Sequence, residues 1–546
     1  MSDQEGGSSF EVGKLWEIAN SKRVTRRTVL KGAAATGALA ALGPIAAACG
    51  GSESDTAASP SATAPKKGGH IRSGIGQGSA KDNLDAHATL NEPSDSMQWQ
   101  SYDSVLGMDT KMEVIPGLAD VWETNEDGTQ WTIRLKPDLE FHNGKTVTAD
   151  DVIYSYNRCK DPETNASFSQ GARGVKDMKK VDDRTVVFMM EQPNVIFDRV
   201  LANHNLAVVP EGYQVPQGAK GSIGTGPWKI ESFEPGQQAV FTPFPNYWGE
   251  GPYADKLTMI QFADPTARLN ALLGGTVDYM ILLEGSQADV VKESPGFELH
   301  TSKSGAWNPF CMAVDQKPLD DERVRQAFRL IVERQQMVDQ ALGGYGWVGN
   351  DMYGVYDPAY PRDLPQREQD LEQARSLLKQ AGYDNDLTIE LVTSEAAGLG
   401  SVLAAQVFAE QAKGAGVTVK VNKLVEGMFY GDDYLTYTFS QDWWSSNDYL
   451  SATNEATGPG AAYNETHWND AEWLKIVQEA FASVDAEKRG ELIRAASTIE
   501  YERGGYIIYG FLVLCDGATD KLGGVVEDVW GVSASRNRYN LMYFKA

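Results

Sequence analysis

The chain has 546 residues, of which 42% are hydrophobic and 23% are charged, so it is long enough to form several folding units with large cores. The mean hydropathy is −0.38 and the sequence contains one long apolar run, which excludes a polytopic membrane protein. With 49 basic and 75 acidic residues, the net charge is −26. A charge of this sign disfavours nucleic acid as a partner.

The apolar run covers residues 32–48 and follows a basic segment that contains Arg26 and Arg27. It is rich in alanine and glycine, and it is shorter than the roughly 20 strongly apolar residues of a membrane-spanning helix. The segment resembles a twin-arginine export signal. We therefore predict that residues 1–48 are a signal peptide.

Small residues precede Cys49, an arrangement that resembles a lipoprotein processing site. Cys49 is then predicted to carry the lipid, with an incidental cysteine beside an ordinary cleavage site as the alternative. Residues 49–67 are rich in Gly, Ser, Thr and Ala, which predicts a flexible tether. The other three cysteines lack metal-type spacing and are predicted to be small buried residues: Cys159, Cys311 and Cys515.

Strands and helices are predicted to alternate along the rest of the chain. The predicted strands cover residues 70–75, 131–135, 185–190, 387–392 and 417–421. The predicted helices begin at 148 and at 320 and cover 371–381, 403–415, 473–481 and 486–500. Thr148 is typical of a helix N-cap, and Gly382 is typical of a helix end. The alternation predicts an α/β protein with parallel or mixed sheets.

Four blocks of sequence carry a family resemblance. They include Gly117-Leu118-Ala119 with Phe141-His142-Asn143-Gly144, then Gly224-Thr225-Gly226-Pro227-Trp228, then Pro318-Leu319-Asp320-Asp321-Glu322-Arg323-Val324-Arg325, and finally Ala381-Gly382-Tyr383. In this order they resemble the extracellular solute-binding proteins of family 5, the peptide/nickel-type receptors of ABC importers. The resemblance covers the chain from about residue 66 to its C-terminus.

The resemblance implies a two-lobed periplasmic-binding-protein fold (cluster C, type II), an α/β fold in which the lobes close about a hinge. It implies the following division: lobe I from 68–97, 223–305 and 506–546; an extra inserted domain at 98–222; and lobe II at 306–505. The crossovers that form the hinge are expected near 222–224 and 305–307.

The implied function is that of a substrate-binding receptor, which captures a small solute in the cleft and delivers it to an ABC permease. Oligopeptides are the leading ligand class, with a sugar or another non-peptide solute as the alternative and a secreted hydrolase as the alternative from another class. The sequence shows no complete nucleophile motif and no metal-binding pair of histidines, so we expect no enzyme activity, no cofactor and no metal. The protein is expected to be a monomer at the outer face of the cytoplasmic membrane, in the periplasm or at the cell surface, held there by its lipid anchor alone.

The candidate ligand-binding residues are Trp307, Trp443, Trp444, Asn447 and Asp448. The segment from Trp444 resembles the Trp-x-x-Asp-Tyr segment of the family, in which the Asp meets the ammonium group of a peptide. Asn447 keeps the spacing of that Asp, whereas Asp448 keeps the Asp-Tyr pair. Residues 393–401, where dipeptide binders place a basic residue, contain none. We expect at most one of the two adjacent tryptophans to face the ligand, because neighbours in a strand point to opposite sides. Packing in the core is the alternative for both.

Overall fold

The computed structural model describes residues 65–76, 78–89, 91–458, 460–531 and 538–545. In this part of the chain the strands are β1 (His70–Ile75), β2 (Leu106–Met108), β3 (Val114–Pro116), β4 (Ala119–Thr124), β5 (Gln130–Leu135), β6 (Val175–Asp182), β7 (Thr185–Met190), β8 (Trp228–Glu234), β9 (Gln238–Pro243), β10 (Lys256–Gln261), β11 (Tyr279–Met280), β12 (Phe297–Trp307), β13 (Phe310–Met312), β14 (Gly346–Val348), β15 (Leu387–Thr393), β16 (Val417–Lys423), β17 (Phe439–Gln441), β18 (Tyr506–Ile507), β19 (Gly510–Thr519), β20 (Leu522–Gly523) and β21 (Tyr543–Phe544).

The helices of the same part are α1 (Glu92–Ser101), α2 (Ala149–Lys160), α3 (Ser169–Arg173), α4 (Phe197–Leu201), α5 (Pro265–Leu273), α6 (Gly285–Glu293), α7 (Glu322–Ile331), α8 (Arg334–Ala341), α9 (Leu371–Gln380), α10 (Ser401–Lys413), α11 (Glu426–Phe429), α12 (Tyr449–Ala456), α13 (Ala471–Ala482) and α14 (Ala486–Arg503). No helix among these residues is both long enough and apolar enough to span a membrane.

The largest sheet has eight strands, in the order β12-β19-β11-β1-β10-β9-β8, with β14 paired to β19. Its central strand β1 runs parallel to both β10 and β11, whereas β9, β8 and β12 join by antiparallel pairing. The burial pattern of β1 shows why it lies in the centre: Ile71 and Ile75 are fully buried in the core of this sheet.

A second sheet has five strands, in the order β16-β15-β17-β13-β18. Strands β15 and β16 are parallel in register from Leu387 and Val417, and α10 connects them. The predicted β-α-β unit is therefore confirmed, with strand and helix ends that differ from the prediction by up to two residues because helices fray and caps shift.

Four antiparallel strands, in the order β4-β5-β7-β6, form a smaller sheet. It shares one hydrophobic core with residues between Val105 and Val208, which we call the small core. Helix α2 packs on this sheet and begins at the predicted N-cap, where the backbone N–H and Oγ1 of Thr148 both donate to Asp151 Oδ2 at 2.9 Å. The small core connects to the eight-stranded sheet at His142. Burial lowers the pKa of His142 to about 4, so the ring is neutral. Its Nδ1 accepts from Gly224 N at 3.4 Å, which leaves Nε2 to donate to Gly226 O at 2.9 Å.

Two short links carry the chain between the eight-stranded and five-stranded sheets. One joins β12 to β13 at residues 308–309, and the other joins β18 to β19 at residues 508–509. The first lies close to the crossover predicted at 305–307. The crossover predicted at 222–224 is wrong as a link between the lobes, because that segment leads from the small core into β8 of the eight-stranded sheet.

Two strands pair with a different sheet from the one that the predicted domain boundaries imply. Strand β18 lies in the range predicted for lobe I but pairs with β13 of the five-stranded sheet. Strand β14 lies in the range predicted for lobe II but pairs with β19. The domain boundaries stay a prediction, and these two strands mark where the two sheets meet.

All three cysteines of the described chain are buried and none forms a disulfide. Burial raises the pKa of Cys159 and of Cys515 to about 12, so both are thiols at neutral pH. The prediction that these residues are small buried side chains is confirmed. Cys49 lies outside the described residues.

Candidate functional site

A central cavity of about 1170 Å³ lies between the small core and the segment that follows β15. We call its lining residues between 89 and 205 the N-terminal wall and those between 394 and 465 the C-terminal wall, and Leu282, Trp530 and Gly531 complete the lining. The volume is comparable to that of protein cavities that enclose a ligand of several hundred daltons.

Helix α12 presents one face to this cavity. Asp448 is its N-cap, and the Asp448 carboxylate accepts from Ser451 N at 3.1 Å and from Ser451 Oγ at 2.6 Å. Glu455 lies two turns further along the same face, and all three residues line the cavity. The cap therefore fixes the position of the helix and of the groups that it presents.

Asp448 also contacts the opposite wall. Its Oδ2 lies 3.3 Å from Nε of Arg199, a residue of α4 in the N-terminal wall. The same guanidinium donates to Met112 O at 2.9 Å. The negative charge of Asp448 raises the pKa of Arg199, which keeps the guanidinium charged at the cavity surface.

The two adjacent tryptophans both border the cavity. Trp443 is 53% exposed and Trp444 is 7% exposed. The expected alternation fails because β17 ends at Gln441 and Trp444 makes only an isolated bridge with Trp307. Asn447 also lines the cavity.

Trp307 does not border the cavity; it lies directly behind Trp444. The two indoles are stacked with centroids 5.8 Å apart, and Trp307 is 1% exposed. The stack continues into the core through Tyr353 and Tyr449, with centroid distances of 5.5 and 5.2 Å. Trp307 thus supports the wall from behind.

The stack ends at a buried carboxyl group. Glu500 accepts from Tyr353 Oη at 2.8 Å and from Tyr449 Oη at 2.6 Å. Burial raises the pKa of Glu500 to about 7, although these two hydroxyl donors oppose the shift.

Asp442 and Glu465 are two further carboxyl groups of the C-terminal wall, and they lie next to each other. Asp442 accepts from the hydroxyls of Tyr430 and Tyr434, each at 2.7 Å, and Glu465 accepts from Tyr506 Oη at 2.6 Å. Burial raises the pKa of both carboxyl groups.

Glu455 is the remaining carboxyl group of this wall that has a raised pKa. Burial, followed by the charge of Asp448, raises the pKa of Glu455 to about 7. Its side chain accepts no hydrogen bond and forms no ion pair with any residue that the structure describes.

Elsewhere in the lining, basic and acidic side chains contact each other. His204 Nε2 lies 2.6 Å from Asp95 and its ring stacks on Trp99 at a centroid distance of 4.3 Å. Lys423 Nζ lies 2.6 Å from Glu395. Together with Arg199, these are the basic side chains of the described lining.

The sequence interpretation missed Arg199, Glu455 and the Asp442–Glu465 pair. The spacing of Asp448, Ser451 and Glu455 by three and four residues fits one helix face and was a usable signal for Glu455, although no helix was predicted there. No signal was available for Arg199, because only the packing of the small core against the C-terminal wall brings it to Asp448.

A family model, "Bacterial extracellular solute-binding proteins, family 5 Middle", matches residues 113–463. The chain is 24% identical over 456 residues to the dipeptide-binding protein of Escherichia coli strain K12, which covers 77% of this chain and 85% of that protein. It is similar to the periplasmic binding protein DppA of Helicobacter pylori in complex with the peptide STSA, with a TM-score of 0.76 and 18% identity over 88% of this chain and 99% of that chain.

It is also similar to the oligopeptide-binding protein AppA of Bacillus subtilis in complex with a nonapeptide, with a TM-score of 0.74 and 19% identity over 88% of this chain and all of the other chain. These structures share its two-lobed α/β fold, as predicted. The family model spans more than half of the sequence, and this chain therefore belongs to the bacterial extracellular solute-binding proteins of family 5.

Proposed function

We propose that this protein is the substrate-binding receptor of an ABC importer and that oligopeptides are its ligand class. The observation that carries the proposal is the central cavity, which is enclosed by two walls and lined by both aromatic rings and polar groups. Its volume of about 1170 Å³ leaves room for a peptide of several residues. The relatives named above, which are described as dipeptide- and oligopeptide-binding, support the ligand class.

In this proposal, the protein captures its solute when the two walls of the central cavity close on it. Residues 308–309 and 508–509 act as the hinge between the lobes, and closure brings the two walls onto the solute. The Arg199–Asp448 ion pair across the cavity favours the closed form. Outside the cavity lining, the hydrogen bond from Val195 N to Phe481 O at 3.0 Å adds to it. The closed receptor then docks on the permease as a monomer.

The lining residues have different roles in this proposal. Trp443 and Trp444 provide wall area, and the Asn447 side chain offers a neutral donor and acceptor. Asp448 is already engaged by Arg199, so its role is to hold that guanidinium at the surface of the cavity. Trp307 keeps Trp444 in position.

Trp443 also favours a second candidate ligand, a sugar or another non-peptide solute. Its ring is 53% exposed on the wall, and a stacked solute requires such a face. The test below includes this class.

The N-terminal segment has its own proposed role. Export by the twin-arginine route would use Arg26 and Arg27, and a lipid on Cys49 would hold the receptor at the outer face of the membrane. These residues lie outside the described part of the chain. Replacing Cys49 by Ala should release the protein into the medium, and replacing both arginines by Lys should block export, as measured by cell fractionation. Unchanged membrane retention of Cys49→Ala would contradict the anchor.

Native mass spectrometry tests the ligand class. The protein is incubated with a defined tetrapeptide library and, separately, with a set of mono- and disaccharides. We expect one-to-one complexes with a subset of the peptides, whose masses stay unchanged after long incubation because the receptor does not hydrolyse them. Complexes with saccharides but not with peptides would show that the ligand is a sugar and not a peptide. Cleaved peptides would indicate a hydrolase.

A further inference from the structure

The C-terminal wall of the cavity has more acidic than basic side chains. Each basic side chain of the described lining already has an acidic partner: Arg199 with Asp448, Lys423 with Glu395, and His204 with Asp95. The C-terminal wall has three further carboxyl groups, which we call the acidic cluster: Asp442, Glu455 and Glu465. No basic side chain among the described residues forms an ion pair with this cluster.

Glu455 is the carboxyl group of this cluster that is available to a ligand. Asp442 accepts from the hydroxyls of Tyr430 and Tyr434, and Glu465 accepts from the hydroxyl of Tyr506. Glu455 has no donor from any residue that the structure describes, although it is partly buried in the lining of the cavity. A carboxylate in such a position gains much from a cation that arrives with the ligand.

The rings around the acidic cluster suit a cation as well. Trp444 and Tyr463 meet edge to face with centroids 6.2 Å apart, and both line the cavity next to the cluster. The faces of such rings attract ammonium and guanidinium groups.

We propose that the acidic cluster binds a cationic group of the ligand, a primary ammonium or a guanidinium, with Glu455 as its carboxylate partner. This inference rests on the proposed function in that the cavity holds the transported solute. It places the cation on the inner part of α12 and not at Asp448, whose carboxylate is occupied by Arg199. The preferred ligands are then peptides with a lysine or arginine side chain.

Two pairs of probes test this by titration calorimetry. The first comparison uses tetra-alanine peptides in which one position is replaced by lysine or by its neutral counterpart norleucine, for each position in turn. The second pair is butylguanidinium and its neutral isostere butylurea. Each probe is measured on the parent protein, on Glu455→Gln, and on Glu410→Gln as a matched control, because Glu410 is an exposed residue of α10 that pairs with Lys413 and lies far from the cavity lining.

We expect lysine to bind about tenfold tighter than norleucine at one position at least, and butylguanidinium to bind tighter than butylurea. Glu455→Gln should abolish both preferences without weakening the neutral probes, while Glu410→Gln should retain them. Circular dichroism checks that Glu455→Gln is folded, which we expect because Gln keeps the shape of the side chain.

The other outcomes separate the two proposals. If peptides bind with no preference for lysine, the cation site is wrong and the peptide receptor stands. If butylguanidinium binds through Glu455 while no peptide binds, the peptide ligand class is wrong and the cation site stands. If no probe binds, both fail, and if the preference for a cation survives in Glu455→Gln, another group holds the cation and the assignment of Glu455 is wrong.

Discussion

Arg199 and Asp448 form an ion pair of 3.3 Å that connects the two walls of the central cavity. Arg199 belongs to α4 in the small core, and Asp448 caps α12 on the opposite side. Both side chains are largely shielded from water, so removing one of them leaves a poorly solvated charge without a partner.

We therefore expect Asp448→Asn and Arg199→Gln each to weaken peptide binding by about 1–3 kcal/mol, since the closed form loses a contact that the open form does not have. The double variant should cost less than the sum of the two. Titration calorimetry on the four proteins gives this coupling. Asp315→Asn is the matched control, because it removes the carboxylate of an exposed pair with His467. Strictly additive effects would mean that the pair does not contribute to closure.

Truncation of Trp443 should affect ligand binding, whereas truncation of Trp307 should affect stability. Trp443→Ala should weaken the binding of both peptides and uncharged solutes by about tenfold and change stability little, since its ring is exposed on the wall. Trp307→Ala should lower the free energy of unfolding by about 3–5 kcal/mol, because it removes a buried ring from the middle of the stack. Thermal unfolding and calorimetry measure the two effects. Equal effects on stability would contradict the assigned roles.

The binding of a cationic probe should depend on pH near neutrality. The pKa of Glu455 is about 7, and the groups that face it are the charge of Asp448, which is itself paired with Arg199, and the ring of Tyr463. Only the ionised carboxylate attracts a cation, so the affinity for butylguanidinium should rise from pH 5.5 to pH 8. Calorimetry across this range should show the rise in the parent and most of it lost in Glu455→Gln. If the affinity of the parent protein for butylguanidinium falls as the pH rises, the ionised Glu455 carboxylate does not hold the cation.

Glu500 makes the stability of the protein depend on pH. Its pKa of about 7 in the folded state lies above its ordinary value of 4.5, so the folded protein binds the proton more tightly than the unfolded chain does. The stabilisation is complete below about pH 4.5 and is lost as the pH rises through 7, a change of about 3 kcal/mol.

Glu500→Gln keeps an acceptor for Tyr353 and Tyr449 but cannot ionise. The Tm of the parent should therefore fall more between pH 5 and pH 8 than the Tm of the variant, as measured by calorimetric scans. Parallel curves would show that Glu500 does not titrate in this range.

Much of the fold follows from local sequence patterns. Residues 185–190 form a strand with the predicted bounds, and Thr148 and Gly382 lie at the predicted helix ends. These features depend on side-chain alternation, capping and backbone conformation within a few residues. The β-α-β unit of β15, α10 and β16 is predictable for the same reason.

The site was less predictable because it depends on contacts between distant segments. Trp307 lies behind Trp444 since an isolated bridge pairs residues that are far apart in the chain. Arg199 reaches Asp448 only through the packing of the small core. Sequence spacing indicated Asp448 and the adjacent tryptophans, which line the cavity, but it did not show which groups already have partners.

A crystal structure of the protein with the tightest tetrapeptide of the library tests the central claim most directly, because that claim places the ligand in the central cavity. The account predicts peptide density between the two walls, in contact with Trp443 and enclosed by the Arg199–Asp448 pair. Peptide bound elsewhere on the molecule, with the central cavity empty at saturating peptide, would contradict it.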